Sequence, residues 1–515
     1  MEHFPWWTDA QKKLSEEACR YTDEVLMPLA ERWSWKKEYP HLPKNVKEEI
    51  VKMGWFGARI PKQYGGRCED WGWATGACII TEETGRAGEA SANLSGTFIA
   101  PTAQLLADGT EEQKKAWLPR FARGEIIGSI VMTEVFAGSD VANIQTTAEK
   151  QGEFYIVNGR KRFQTGAAVA DVYMTFVKTS NKPEDIRAHK HLTGLMIEKG
   201  MPGFTVERVN DLMGIDGLYN CYLCFDNVKV PVANRIGAEN GGWEVMMHGL
   251  NEERCLVGAA LLGPTRESLR WAKHHLERRV QFGTLTGEIL TNQFRIAEIL
   301  ADLSLARLIT YYCAYCVDMG REIPIEGGAS KLFASEACMR AAQSAISIMG
   351  GNGVTKYYPV ERYLRYAKLM EIAGGSNDVL KVLLYRMGLA ALAKDLKPPI
   401  RAIDPELKVP MPVGKAFKKK AIASEDDLLK LLAENYRVDP GLHMTLADIK
   451  ERAEVSDEDL AKYLASLEEK GLATVHKDRK GRPSLAAATY PGISKANPKD
   501  YYRYIPPWVD EKDMF

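Results

Sequence analysis

Between Glu125 and Val230 apolar and polar residues alternate with a period near two, and on both sides of this stretch the period becomes helical. That change of period is the strongest constraint on the fold. One chain has to place a small β domain between two helical blocks. The stretch reads as strands over Ile126–Met132, Thr147–Glu149, Phe154–Val157, Val172–Val177, Thr193–Ile197, Phe204–Val209 and Asn220–Phe225. Gly and Asn-Gly turns separate them, as in a barrel or sandwich. Upstream, Thr8 is placed to cap a first helix, with Asp9 and Gln11 in its first turn. Asn45–Met53, Trp73–Thr84 and Glu111–Phe121 follow as further helices. Downstream, Glu244–Val280, Leu290–Met319, Pro324–Met349 and Ser376–Leu392 read as long helices, the last two separated by a break at Gly350-Gly351-Asn352-Gly353. Long helices in succession predict a four-helix bundle, and the class is α+β.

The character shifts again after Lys394. Lys397-Pro398-Pro399, the stretch from Pro405 to Pro412 and the run Lys418-Lys419-Lys420 read as a linker. Beyond it, Glu425–Glu434 is amphipathic. Leu446–Arg452 and Asp457–Lys470 read as helix-turn-helix, and Leu472–Val475 with Leu485–Thr489 as a hairpin. Together these resemble a winged-helix module, followed by an aromatic tail at Tyr501–Trp508. The expected domains are 1–125, 126–238, 239–395, a linker over 396–423 and an extension over 424–515.

Composition argues against several function classes. Lys+Arg and Asp+Glu are both 68, which argues against nucleic acid as the main partner. The helix Asp457–Lys470 in particular carries more acid than base, unlike a DNA-reading helix. No apolar run reaches the roughly 18 residues of a membrane span. The N-terminus has neither a secretory nor a transit pattern. Nine scattered cysteines fit a reducing compartment, and the pairs Cys221/Cys224 and Cys313/Cys316 read as small buried hydrophobes rather than metal ligands. No metal site is expected, and the expected location is cytoplasmic.

The chemistry sits in a few motifs. Met132-Thr133-Glu134-Val135-Phe136-Ala137-Gly138-Ser139-Asp140 is a loop of small and hydroxyl residues between two strands, suited to close approach of a flat or phosphorylated ligand. With Val157-Asn158-Gly159-x-Lys161-x-Phe163-x-Thr165 it resembles the flavin-contacting middle domain of acyl-CoA dehydrogenases. The order helices, β domain, helical bundle resembles that family over roughly residues 5–393. The resemblance implies FAD as cofactor and an acyl-CoA substrate. It also implies an electron-transferring flavoprotein as electron acceptor and a homotetramer or dimer.

Carried onto this chain, the resemblance assigns Met132 and Thr133 to the pyrimidine side of the flavin. It assigns Ser139 to the flavin phosphate or the CoA pantetheine, and Phe163, Gln164 and Thr165 to the ring. Phe163 stands where the family usually has Trp, and Val135 where it has Pro. Arg278-Arg279-Val280-Gln281-Phe282-Gly283 resembles the family's Arg-x-x-Phe-Gly. Arg279 would pair with FAD pyrophosphate from a neighbouring subunit, with Phe282 and Gln293 beside it. Ile348–Gly353 resembles the Gly-Gly-Asn-Gly turn at the adenosine diphosphate, with Ser347 in place of Gln next to Gly350 and Gly351. Ser376 and Asp378 correspond to a Thr-x-Glu/Gln that caps a helix beside the flavin.

The base departs from the commonest pattern. Gly374 stands where many family members carry the catalytic Glu, so it can offer an N–H to the thioester oxygen but no carboxylate. A subset of the family places the base on the helix after the β domain. In Asn251-Glu252-Glu253-Arg254, Glu253 matches that position. Adjacent helix residues point about 100° apart, so Glu252 and Glu253 cannot both face the flavin. An apolar pocket should raise the Glu253 pKa. Asn251, Arg254, Gly375, Ser91 and Ser95 complete the expected substrate set, and the helix around Ser91, Ser95 and Thr97 carries no Arg to anchor a second carboxylate. The implied reaction is α,β-dehydrogenation: the α-proton goes to Glu253 and the β-hydrogen leaves as hydride to flavin N5, in degradation of a fatty, branched, cyclic or aromatic acid. The alternatives are an enoyl-CoA reductase or a 1,4-dehydrogenase of cyclic acyl-CoA on the same fold. From another class comes an acyl-CoA-sensing DNA-binding regulator.

Overall fold

Thr8 closes a capping box with Gln11 and starts the first helix, α1 (Asp9–Tyr21), as its position suggests. The computed structural model describes residues 2–36, 42–88, 101–215, 219–393, 395–404, 406–407, 409–413, 418–496 and 512. Ser91, Ser95 and the aromatic tail lie outside the described residues. The chain divides into two compact units, Met1–Ala391 and Leu392–Phe515.

In the first unit α2 (Met27–Lys36), α3 (Lys44–Met53), α4 (Thr75–Gly85), α5 (Thr102–Asp108) and α6 (Glu111–Ala122) make the N-terminal helical part. Every residue of α4 is buried. Small residues allow this close approach: a Cβ on Gly85 would sit 2.6 Å from the Ala260 carbonyl oxygen.

The middle part is a sheet of β1 (Gly128–Val131), β2 (Thr147–Gln151), β3 (Phe154–Thr165), β4 (Val172–Lys178), β5 (Leu192–Glu198), β6 (Phe204–Val209), β7 (Asn220–Pro231) and β8 (Arg235–Ile236). Its order is β6-β7-β3-β2-β4-β5-β8, with β1 parallel to β4. The expected period-two segments are all present, several of them longer than the sequence suggested. Tyr155, Val157, Tyr173, Val177, Leu195 and Leu223 fill its interior.

The bundle consists of α7 (Gly242–Leu276), α8 (Leu290–Asp318), α9 (Pro324–Met349), α10 (Val360–Met370) and α11 (Asn377–Leu383). Two expectations are corrected. The first of these helices ends at Leu276, not Val280, because Phe282 (φ 55°) and Gly283 (φ 77°) turn the tight hairpin of β9 (Val280–Gln281) and β10 (Thr284–Leu285). The helix α10 was not anticipated, although Val360, Tyr363, Ala367 and Met370 have helical spacing and are buried. Glycines bring α7 and α9 together: a Cβ on Gly258 would lie 2.5 Å from Ser330 Oγ, and one on Gly327 3.0 Å from the Asn251 carbonyl oxygen.

The second unit holds α12 (Glu425–Val438), α13 (Leu446–Arg452), α14 (Asp457–Glu469) and the antiparallel pair Ala473–Lys477 with Pro483–Ala488. This is the helix, helix, helix, hairpin order read from the sequence. Ser424, Thr445 and Ser456 cap the three helices. Leu428, Leu432, Ile449, Leu460, Leu464 and Leu467 form its core. The Pro-rich linker contains a short hairpin that was not expected, Arg401–Ile403 against Pro410–Pro412. Among the described residues no helix is long and apolar enough to cross a membrane.

Candidate active site

The loop after β1 is tied down from beneath. The Glu134 carboxylate accepts the Gln145 and Thr146 amides at 2.7 and 2.9 Å and pairs with Lys161 at 2.9 Å. Lys161, fully buried, also donates to the carbonyls of Met132 (2.9 Å) and Phe176 (2.7 Å). Burial pulls the Lys161 ammonium down to about 8, partly offset by Glu134. Burial alone would raise Glu134, but Lys161 and the two amides outweigh it and hold the carboxyl below its ordinary range. Glu134 is therefore structural.

Gln164 is the second tie. Its Oε1 accepts from Met132 N at 3.2 Å, and its Nε2 donates to the Thr133 carbonyl at 2.8 Å and to the Arg162 carbonyl. Gln164 thus lies under the loop as a strut, with its amide in use, and the Met132 N–H and carbonyl are engaged as well. The Thr133 side chain is half-buried, and Ser139 is exposed at the far end of the loop. Thr165 is exposed, and its carbonyl accepts from Ser129 Oγ at 2.7 Å.

One extra residue enters β3 between Lys161 and Gln164 opposite β7. Phe163 sits in this bulge at φ 61°, a conformation that a bulky residue adopts at a cost. The bulge turns its ring outward, 45% exposed, with the Arg162 guanidinium 4.2 Å from the ring centre.

On α7 the adjacent carboxylates separate as helix geometry requires. Glu252 forms an ion pair with the buried Arg59. Glu253 has no such partner: its Oε2 is buried without a hydrogen bond among the described residues. Burial raises its carboxyl to about 7, with Arg254 and then Lys331 drawing it down. Arg254 is buried, donates to Asn251 Oδ1 at 3.2 Å, and is lowered by its own burial. One turn along the same face, Val257 Cγ2 lies 3.6 Å from where a Gly374 Cβ would stand. The structure thus brings the turn of Gly374 (φ 67°) and Gly375 (φ 89°) up to the face that carries Glu253. Ser376 caps α11 through Val379 N at 3.4 Å, with Asp378 exposed in its first turn.

The remaining expected cofactor residues form no enclosed site within this chain. Phe282 is 98% exposed at its hairpin tip, and Arg279 is exposed beside it with no side-chain partner among the described residues. Gln293 is exposed and donates to the Gly287 carbonyl at 3.0 Å. Ser347, Gly350 and Gly351 are exposed at the end of α9, where Gly350 takes φ 56°. Among the described residues no cluster of metal-ligating side chains exists, and the cysteines resolved are free.

Sequence reasoning missed Lys331 and Asn377. Lys331 is fully buried on α9, and its ammonium donates to the carbonyls of Glu371 (3.2 Å) and Gly375 (2.8 Å) and to Asn377 Oδ1 (2.9 Å). The available signal was a lone lysine within the small-residue run Gly327-Gly328-Ala329-Ser330 to Ala334-Ser335. Arg59, which removes Glu252 from contention, had no signal.

Family models described as acyl-CoA dehydrogenase N-terminal, middle and C-terminal domains match residues 8–125, 129–228 and 240–389. The chain is 34% identical over 382 residues to an acryloyl-CoA reductase (NADH) of Anaerotignum propionicum, covering 74% of this chain and 94% of the relative. It is 31% identical over 379 residues to the mitochondrial isovaleryl-CoA dehydrogenase of Pongo abelii, covering 74% and 88%. Butyryl-CoA dehydrogenase from Megasphaera elsdenii superposes with a TM-score of 0.71 at 30% identity, covering 76% of this chain and all of that one.

Proposed function

The chain belongs to the acyl-CoA dehydrogenase family of FAD-dependent oxidoreductases, and from that premise we propose that it oxidises an acyl-CoA thioester between the α and β carbons, with Glu253 as the base. The observation that carries this reading is the half-buried Glu253, whose Oε2 is enclosed without a hydrogen-bond partner among the described residues and whose carboxyl is raised to about 7 by burial. Such a group is a proton acceptor matched to neutral pH. Glu252 is committed to Arg59 and cannot serve.

The side chains present fit FAD. The outward Phe163 ring, the Thr133 hydroxyl, Thr165 and the Ser376–Asp378 cap would hold the ring system. Arg279, Phe282, Gln293, Ser347, Gly350 and Gly351 would hold the diphosphate end for a neighbouring subunit. When bound, FAD supplies the acceptor for the β-hydrogen as hydride. Glu253 takes the α-proton, and the Gly374 N–H stabilises charge gathering on the thioester oxygen. Asn251 and Arg254 hold the pocket wall behind the base. Assembly as a homotetramer or dimer is supported by an apolar stripe on α8: Phe294, Leu305, Leu308, Tyr312 and Tyr315, continued by Met319, are all at least 41% exposed.

Replacing Arg279 with Met is expected to cut FAD retention about tenfold or more, since hydrogen bonds to charged groups contribute about 1.5–3 kcal/mol. Flavin absorbance of the dialysed protein against total protein measures it, and undiminished retention counts against this assignment. A pH series tests the base. A carboxyl at about 7 must be ionised to act, so flavin bleaching by butyryl-CoA or isovaleryl-CoA should rise through pH about 7 and level above it. A rate flat from about pH 5 to about 9 contradicts Glu253 as the base.

Saturated thioesters would pass electrons to an electron-transferring flavoprotein. The similarity to an acryloyl-CoA reductase supports a second reading, in which protonated Glu253 delivers its proton to the α-carbon of an enoyl-CoA. Anaerobic reoxidation of dithionite-reduced enzyme by acryloyl-CoA, without bleaching of oxidised enzyme by butyryl-CoA or isovaleryl-CoA, would favour it.

A further inference from the structure

We propose that Lys331 is a positioning residue for the reaction: it clamps the Glu371–Asn377 turn onto the bundle and brings a positive charge to the side of that turn that faces the Glu253 stretch of α7. This rests on Glu253 being the base. The three protons of the ammonium go to the Glu371 carbonyl, the Gly375 carbonyl and Asn377 Oδ1, at 3.2, 2.8 and 2.9 Å. The same Asn377 Oδ1 accepts from Ser335 Oγ at 3.1 Å, and Asn377 N donates to the Glu371 carbonyl at 2.9 Å. Lys331 and Ser335 are one helical turn apart on α9, so this one face of the helix grips both ends of the turn that carries Gly374 and Gly375.

Gly327, one turn earlier on that face, meets α7 at Asn251 and Arg254. The lysine therefore stands between the Gly374 turn and the stretch of α7 that bears Glu253. Its acceptors are all neutral oxygens. Among the described residues no carboxylate lies within ion-pair distance of Lys331 or of Arg254, whereas the buried cations Arg59, Arg86, Arg266, Arg307, Arg362 and Lys161 each touch one. The charged groups acting on it are Glu371 at the turn and Arg254 and Glu253 on α7. A buried ammonium without a contacting carboxylate is costly unless a nearby anion compensates it. Glu371 acts on it most strongly, and Glu253, with one oxygen unpartnered, is the further anion on the α7 side. The pair is separated rather than bonded, so Glu253 stays free to take a proton while Lys331 favours its ionised form.

The test is the pH dependence of anaerobic flavin bleaching by butyryl-CoA and isovaleryl-CoA in holoenzyme carrying Lys331→Met, Lys331→Gln or Lys331→Arg. Without the cation, Glu253 is harder to ionise. The rising limb should move to higher pH in the Met and Gln variants, with about tenfold loss at pH 7 per unit of displacement and recovery at alkaline pH. Lys331→Arg keeps the charge and should keep the limb in place. A clamp without an electrostatic role would lower the rate equally at every pH. An unmoved limb in Lys331→Met or Lys331→Gln overturns the proposal. So does recovery of holoenzyme from Lys331→Arg alone, since the lysine is then needed only for folding. Glu253→Gln is measured alongside. Bleaching retained there refutes the base assignment itself, whereas bleaching lost there with an unmoved Lys331 limb refutes only this proposal.

Discussion

Glu253→Gln should bind FAD as the parent does and lose about 10²- to 10⁴-fold in the rate of flavin bleaching by a saturated acyl-CoA, the range that general-base removal typically costs. The substitution keeps the side chain's shape and removes only its ability to take a proton. Glu253 contributes no hydrogen bond through Oε2, and its ionised form is disfavoured by burial, so the neutral amide should not destabilise the fold. Glu252→Gln is the informative control. Glu252 pairs with Arg59, which is 5% exposed. Its loss should lower stability and leave the chemical step within a few-fold. Near-normal bleaching in Glu253→Gln would exclude it as the base.

The second large effect is on stability, at a cluster away from the chemistry. Arg86 is fully buried between α1, α4 and α7. Its Nε donates to Glu267 at 2.7 Å, its Nη1 to Glu83 at 3.3 Å, and it pairs with Asp23. Glu267 is 1% exposed, and a second arginine, Arg266, holds Glu83. Arg86→Met would leave Glu267 facing only Arg270, itself half-exposed, at 3.3 Å. Removing one member of a buried ionic group typically costs about 3–5 kcal/mol because a charge is left buried without compensation. Urea denaturation followed by tryptophan fluorescence should show a loss of that size. A change under about 1 kcal/mol would mean that solvent or rearrangement satisfies Glu267.

Much of the architecture could be read from periodicity, since stretches of β3 and β7 alternate buried and exposed residues, while β4 and β5 are apolar runs buried almost throughout. The helix end at Leu276 could not. Glu277, Arg278 and Arg279 are good helix formers, and what stops the helix is the hairpin in which Phe282 and Gly283 both take positive φ. The site was legible where a residue type alone carries the chemistry. A Glu at position 253 is visible in any reading. The family position favoured Glu253 over Glu252, but the partner that separates the two, Arg59, lies far away in sequence and had no signal there. Lys331 was hidden for a related reason. Two of its three partners are main-chain carbonyls about forty residues on, and carbonyls have no sequence signature. Gln164 was assigned to the flavin ring by resemblance, and its amide is a tie between Met132 and Thr133, beside the bulge at Phe163.

The most direct measurement of the central claim is the visible spectrum of the purified protein, titrated anaerobically with butyryl-CoA and isovaleryl-CoA. The expected result is a bound-flavin spectrum that bleaches with at least one of these thioesters in the parent protein and with neither in Glu253→Gln. A protein with no flavin absorbance, or one whose flavin bleaches equally in both proteins, would contradict an acyl-CoA oxidation driven by Glu253.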